Sequence, residues 1–171
     1  MDLKDKKVLV IGLGRSGFYA AHLAKTQGAK VFVTESACDR CIERRSTALK
    51  KEGIEVEVSG HTESFTKDID FVIISPGVNL EEPFIKEKIL NKGIHVISEI
   101  ELAFSLCPSK NIIAVTGTNG KSTTVRLIGH LLISAGKKVV ICGNIGQPFA
   151  AFIRKIDQET LVVLEISSYQ L

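Results

Sequence analysis

The chain has 171 residues, of which 44% are hydrophobic and 24% charged, so it can bury a substantial core in one large or two small domains. A formal net charge of +3, without a basic block or a tryptophan, argues against a nucleic-acid-binding protein. No apolar run approaches the length of a membrane span, and the charged residues 1–7 do not resemble a signal peptide. We therefore expect a cytoplasmic protein that binds neither nucleic acid nor membranes.

The first part of the chain alternates short apolar runs with helical stretches. The apolar runs predict strands at residues 8–11, 31–33, 54–58, 71–74 and 95–97. A helix with a capping-box spacing, Ser98 and Glu101, follows the last of them and is expected to end near Leu106. This alternation predicts an α/β fold, a Rossmann-like doubly wound parallel sheet, over residues 1–107.

Two turns are candidates for ligand binding in this domain. Residues 12–17 (GLGRSG) match G-x-G-x-x-G between a strand and a helix, and Glu35 ends the next strand, where a dinucleotide fold places its ribose-binding acid. The turn is compatible with an NAD(P) site, with a site for another nucleotide or phosphate, or with a plain tight turn. Residues 75–77 (SPG) follow another strand. They are either a ligand-binding loop at the edge of the sheet or the ordinary start of a loop.

A C-x-x-C motif, Cys38 and Cys41, follows the second predicted strand and suggests a redox or metal site. No second cysteine pair is present to complete a zinc site. Both cysteines also fall on one helical stripe with Ile42, Ala48 and Leu49. We therefore expect buried, unreactive thiols, and the four histidines, which show no ligand spacing, are assigned no role.

A second α/β pattern begins after the boundary at residues 107–110. It has predicted strands at 112–115, 139–141 and 161–164, and a helix with apolar residues at 128, 131, 132 and 135. We expect residues 108–171 to be the start of a phosphate-loop α/β domain. Because about three strands bury little surface, we also expect the chain to be the front portion of a longer protein.

A phosphate loop is the most specific motif of this second unit. Residues 116–123 (TGTNGKST) lie between an apolar strand and a helix. The glycines let backbone N–H groups face an anion, Lys121 reaches the outer phosphates, and the Ser122 hydroxyl can ligate Mg²⁺. The strict pattern has glycine where Val115 stands, so the loop is a shortened variant.

Two further side chains follow strands of the same unit. Glu165 comes after four apolar residues, and a carboxylate there can hold Mg²⁺ together with the Ser122 hydroxyl. Asn144, within residues 143–146 (GNIG), can donate and accept hydrogen bonds between glycines that allow close ligand approach. Taken alone, Asn144 is equally consistent with an ordinary turn.

These motifs occur together and in order, and their combination resembles the Mur ligase family of peptidoglycan synthesis. The resemblance covers essentially the whole chain and rests on residues 12–17, 75–78, 98–102, 116–123, 143–146 and 165–171. It implies an ATP-dependent, C–N bond-forming ligase that uses Mg²⁺. The branch it resembles phosphorylates the alanyl carboxylate of UDP-N-acetylmuramoyl-L-alanine, and the amine of D-glutamate then attacks the acyl phosphate.

The resemblance also implies site residues. Catalytic roles fall to Lys121 and Glu165, and metal binding to Ser122 and Glu165. The residues expected to bind ATP are Gly117, Thr118, Asn119, Gly120, Lys121, Ser122 and Thr123. The residues expected to bind the uridine substrate are Gly14, Arg15, Ser16, Glu35, Ser36, Ser75, Pro76, Gly77 and Asn144.

The sequence departs from the family pattern in two respects. The C-x-x-C motif is not required by the family, and the family's later histidine, carbamylated lysine and glutamate-binding third domain are not in this sequence. Because these parts are missing, we expect the chain to be inactive alone. We also expect it to be a monomer. An NAD(P)-dependent oxidoreductase and a non-catalytic nucleotide-binding module remain alternatives, although a dehydrogenase needs neither a phosphate loop nor Glu165.

Overall fold

The computed structural model describes residues 1–167, so the last four residues of the motif at 165–171 lie outside the described part. The first unit is a parallel sheet of five strands in the order β3-β2-β1-β4-β5. This is the strand order of doubly wound nucleotide-binding domains, and it confirms the Rossmann-like fold class. The strands are β1 Lys7–Ile11, β2 Lys30–Glu35, β3 Glu55–Val58, β4 Phe71–Ile74 and β5 His95–Ser98.

Helices cover both faces of this sheet. They are α1 Arg15–Thr26, α2 Arg40–Lys51, α3 Pro83–Ile85 continued by a π-helical turn Lys86–Leu90, and α4 Glu99–Leu106, with a 3₁₀ turn Glu63–Thr66. The predicted capping box of α4 is present: Glu101 N–H donates to Ser98 Oγ at 3.2 Å, and Ser98 N–H donates to Glu101 Oε2 at 2.6 Å. These two bonds satisfy backbone donors that the helix itself leaves free, and so fix where α4 begins.

The second unit is a parallel sheet of three strands, β6 Ile112–Val115, β7 Val139–Gly143 and β8 Leu161–Glu165, in the order β6-β8-β7. Helix α5, Lys121–Ser134, packs on β7 and β8. Two 3₁₀ turns, Phe149–Ala151 and Ile153–Lys155, connect β7 to β8. Within residues 1–167, no helix combines the length and apolarity needed to cross a membrane.

The face that α5 buries differs in part from the predicted one, of which Ile128 and Leu132 are half-buried. Val125 and Gly129 are buried, whereas Leu131 is 59% exposed and Ala135 is also exposed. The close approach of the helix to β7 explains the difference, because a Cβ added at Gly129 would lie 2.2 Å from Ile141 Cδ1. Gly129 therefore faces the sheet, and this orientation of the helix leaves Leu131 exposed to solvent.

The prediction of two buried cysteines is wrong: Cys38 and Cys41 are both exposed. Asp39 is the N-cap of α2, accepting hydrogen bonds from Cys41 N–H at 2.7 Å and Ile42 N–H at 2.9 Å. The helix therefore starts at Arg40 and leaves Cys38 outside it, while Ile42 rather than Cys41 faces the core. Among the described residues, no group of three or more His, Cys, Asp or Glu side chains could hold a metal ion.

The two sheets share one hydrophobic core. Phe149, which is fully buried, lies on the turn that contacts both α1 and α4 of the first unit. The cluster runs without a break from Leu23 and Leu102 to Val162 and Leu164. The two units are therefore packed against each other rather than only linked through residues 107–111.

A buried carboxyl lies within this interface. Glu99, at the start of α4, is 1% exposed, and its Oε1 accepts a hydrogen bond from Ala150 N–H at 2.6 Å. Its Oε2 has no hydrogen-bond partner within residues 1–167. Burial raises the pKa of Glu99 to about 7, and the hydrogen bond from Ala150 opposes this only in part.

Candidate functional site

A cavity of about 560 Å³ opens where the chain leaves β1, β2 and β4. It lies at the point where the strand order reverses, between β1 and β4, which is where open α/β sheets bind their ligands. All nine residues predicted to bind the uridine substrate line it: Gly14, Arg15, Ser16, Glu35, Ser36, Ser75, Pro76, Gly77 and Asn144. The structure thus brings these residues together, and the identity of their ligand remains a prediction.

The glycine turn after β1 is packed tightly against the loop after β4. Gly12 has φ +92°, and Ser75 Oγ donates a hydrogen bond to its carbonyl at 3.1 Å. A Cβ added at Gly17 would lie 1.9 Å from the Gly12 carbonyl oxygen. The first turn of α1 therefore approaches the strand end more closely than any side chain allows, which brings its backbone N–H groups to the cavity.

The carboxylate of Glu35 stabilises the walls of the cavity. Its Oε2 accepts from Leu13 N–H at 2.6 Å, and its Oε1 accepts from Ala37 N–H at 2.8 Å. One carboxylate therefore joins the turn after β1 to the loop after β2. Oε1 also accepts from Ser36 Oγ at 3.4 Å, whereas Oε2 still has a lone pair for a ligand, so the predicted ligand contact is compatible with this structural role.

Three polar side chains of the cavity wall were not predicted from the sequence: His61, Asn79 and Glu82. The His61 side chain is only 7% exposed, its Nδ1 lies 2.6 Å from Thr34 Oγ1, and its ring stacks on Phe84 with centroids 4.8 Å apart. Its Nε2 lies 3.6 Å from Glu82 Oε1. His61 follows β3 at the same sheet edge, so its place just after a strand, like that of residues 75–77, is the sequence signal for it.

The phosphate loop begins α5 as predicted. Gly120 is the helix N-cap in the left-handed region, φ +76°, and Gly117 has φ +139°. The Lys121 ammonium folds back over the loop, donating to the Gly117 carbonyl at 2.7 Å and the Thr118 carbonyl at 3.4 Å. This position puts a positive charge at the mouth of the loop, where phosphate oxygens can replace the two carbonyls.

A buried carboxylate faces the phosphate loop from β8. Glu165 is 2% exposed, its Oε2 accepts from Ser122 Oγ at 2.7 Å, and its Oε1 accepts from Asn144 Nδ2 at 3.1 Å. A hydroxyl and a carboxylate are hard oxygen donors. They suit Mg²⁺, which takes few protein ligands and completes its shell with phosphate oxygens and water.

Comparison with known proteins places both units in the same family. The Mur ligase MurD-like N-terminal domain matches residues 6–98, and the Mur ligase middle domain matches residues 115–171. A UDP-N-acetylmuramoylalanine–D-glutamate ligase from Koribacter versatilis is 44% identical over 171 residues, which is 100% of this chain and 37% of the relative. The chain thus spans little more than a third of the length of this curated relative.

Solved structures show the same architecture. A pseudomurein peptide ligase type C from Methanothermus fervidus is 28% identical with a TM-score of 0.54, over 96% of this chain and 33% of that one. A UDP-N-acetylmuramate-alanine ligase from Thermotoga maritima is 22% identical with a TM-score of 0.56, over 94% of this chain and 37% of that one. The second likeness concerns the fold alone.

Proposed function

Because the chain belongs to the Mur ligase family, we propose that it contributes the uridine-substrate pocket and the phosphate loop of a ligase that joins D-glutamate to UDP-N-acetylmuramoyl-L-alanine. The observation that carries this proposal is the pairing of Ser122 with Glu165, one loop away from a cavity lined by all nine predicted substrate residues. A phosphate loop beside a separate ligand cavity is an arrangement that suits the transfer of phosphate from one ligand to another.

The proposed division of labour follows the two sheets. Residues 1–107 bind the uridine substrate, and residues 108–171 begin the ATP-binding part. The linker between α4 and β6 supports this boundary, although the shared core at Phe149 makes the two units pack as one body.

On the substrate side, the uracil lies near Arg15, Ser16, Glu35 and Ser36. Residues 75–77 and Asn144 approach the diphosphate and muramoyl parts. Supporting this, the turn after β1 presents the start of α1 to the cavity, where the helix dipole and free N–H groups favour an anion.

On the ATP side, Lys121 holds the phosphates, and the backbone of residues 117–123 cradles them. An oxygen of the alanyl carboxylate attacks the γ-phosphorus and ADP leaves. The amine of D-glutamate then attacks the acyl carbon, phosphate leaves, and the amine gives up a proton. Mg²⁺, held by Ser122 and Glu165 when bound, neutralises charge that spreads over the transferring phosphoryl group.

The family's ligases use ATP and Mg²⁺, and the assignment of these ligands to particular residues here is our proposal. We also propose that the 171 residues by themselves do not complete the reaction. Supporting this, the Koribacter relative that bears the ligase name has a chain of which only 37% is matched.

The test of the proposed function is calorimetric titration of the chain with UDP and, separately, with NAD⁺. We expect saturable binding of UDP and none of NAD⁺. A chain that binds NAD⁺ and ignores UDP would instead support an oxidoreductase built on the first sheet.

A further inference from the structure

The side chain of Asn144 belongs to two sites at once. It lines the cavity after β1 and β4, and its Nδ2 donates to Glu165 Oε1 at 3.1 Å. An amide nitrogen carries two N–H donors, so one can hold the carboxylate while the other faces an anion in the cavity. The same residue therefore touches the space for the uridine diphosphate and the carboxylate proposed to hold the metal.

Asn144 also controls how Glu165 is presented. With Oε1 held by Asn144, the other oxygen, Oε2, is directed to Ser122 Oγ at 2.7 Å, the second proposed metal ligand. Hydrogen bonds of this kind fix the orientation of metal-binding carboxylates. Without the donor, the buried carboxylate would lose its orientation as well as a charge-assisted hydrogen bond.

The backbone around Asn144 is fixed to the end of β8. Asn144 N–H donates to the Glu165 carbonyl at 2.9 Å, and a Cβ added at Gly143 would lie 2.2 Å from that same oxygen. At the other end of this loop, residues 143–146, the Gly146 carbonyl accepts from Arg15 Nη1 at 2.8 Å. The loop is thus held by the phosphate-loop unit on one side and by a cavity residue of the first unit on the other.

We propose that Asn144 is a positioning residue for Glu165, and that through it a diphosphate in the cavity and a Mg²⁺-nucleotide on the phosphate loop strengthen each other's binding. The proposal rests on the proposed function, since it takes its two ligands from there. Such coupling must be reciprocal: if UDP tightens Mg²⁺-ADP, then Mg²⁺-ADP tightens UDP by the same factor.

The experiment titrates the chain with Mg²⁺-ADP, with and without saturating UDP, and then in the reverse order. For the wild-type chain we expect each ligand to tighten the other at least ~5-fold. Asn144→Ala should weaken Mg²⁺-ADP about 10- to 100-fold, as losses of outer-shell partners do, and should abolish the coupling. Binding of ADP without Mg²⁺ should change little, a result that general damage to the fold would not give.

Two further variants keep the test decisive. Asn144→Leu is close in size and has no donor, and it should lose the coupling as Asn144→Ala does, even if the alanine variant folds poorly. Asn79→Ala is the matched control, because Asn79 also lines the cavity but its Oδ1 accepts from Glu81 N–H. It should keep the coupling between the two ligands.

The outcomes separate the two proposals. If the wild-type chain binds both ligands without coupling, or if the Asn144 variants retain the coupling, the role of Asn144 is refuted and the proposed function stands. If UDP does not bind at all, the proposed function fails, and the coupling fails with it.

Discussion

Replacing Glu99 by glutamine should remove a large pH dependence of stability. The carboxyl is buried between α4 and the turn at Phe149–Ala151, where burial raises its pKa to about 7 from an ordinary 4.5. The folded chain therefore holds this proton more firmly than the unfolded chain does. Between pH 4.5 and 7 the unfolded state releases it first, so the free energy of unfolding falls as the pH rises, and it levels off above pH 7.

The size of the effect follows from the gap between the two pKa values. At 1.36 kcal/mol for each pKa unit, the gap corresponds to about 3 kcal/mol lost between pH 4.5 and pH 8. In the variant, the oxygen of the introduced glutamine can still accept from Ala150 N–H, but its amide nitrogen replaces an oxygen that has no partner within residues 1–167. An unpaired buried donor costs about 1–3 kcal/mol at every pH, so the pH dependence, not the absolute stability, is diagnostic.

The neighbouring thiol of Cys142 does not add to this pH dependence through its own ionisation. Burial, with Glu99 and Cys107 nearby, raises the pKa of Cys142 to about 12, so that thiol stays neutral throughout the range.

The assay is urea unfolding followed by circular dichroism at pH 5, 6, 7 and 8, since the chain has no tryptophan. Relative to Glu99→Gln, the wild-type chain should lose about 2.5 kcal/mol over this narrower range. Glu101→Gln is the control: the residue is exposed on the same helix, and glutamine can preserve the capping box, so its pH profile should follow that of the wild type. Parallel profiles for Glu99→Gln and wild type would refute the reasoning.

Three other predictions concern the turn after β1, the phosphate loop and the cysteines. Gly17→Ala should cost about 1–3 kcal/mol in thermal or urea unfolding, because its Cβ would overlap the Gly12 carbonyl. Gly14→Ala, whose Cβ meets nothing within 4 Å, should cost less, and what it costs comes from replacing the N-cap of α1. Lys121→Ala should weaken Mg²⁺-ADP at least ~10-fold in calorimetry and leave UDP binding unchanged, and equal loss of both would mean that the lysine is structural. Iodoacetamide followed by mass spectrometry should label two of the four cysteines rapidly in the folded chain, the exposed pair at residues 38 and 41, and protection of that pair would contradict the structure.

Much of the fold could be predicted because its determinants are local. Apolar runs of four or five residues place the strands, and the glycine turn at residues 12–17 and the phosphate loop at 116–123 place two helix starts. Ligands bind at the carboxyl ends of parallel strands, and this rule predicts which residues line the cavity. Family resemblance supplied the identity of the ligands, which no local pattern could give.

Helix phase was the first thing that local patterns did not determine. The prediction that Cys38 and Cys41 are buried required a helix that begins by residue 38. Asp39 caps the helix, which therefore begins at Arg40. The buried face of α5 depended on Gly129, whose lack of a side chain lets the helix approach Ile141. Both outcomes follow from single contacts that outweigh the periodicity of the apolar residues.

Contacts between distant parts of the chain decided the rest. Glu99 meets Ala150 across 51 residues of sequence, and Asn144 meets Glu165 across 21. By itself, the sequence determined the kind of sheet, the phosphate loop and which side chains stand at strand ends, because these depend on neighbours along the chain. Only the packing of the two sheets against each other decided that Glu99 is buried, with one oxygen unpaired among residues 1–167, and that Asn144 both lines the cavity and contacts Glu165. Hydrogen-bond partners and burial depend on which surfaces meet in space.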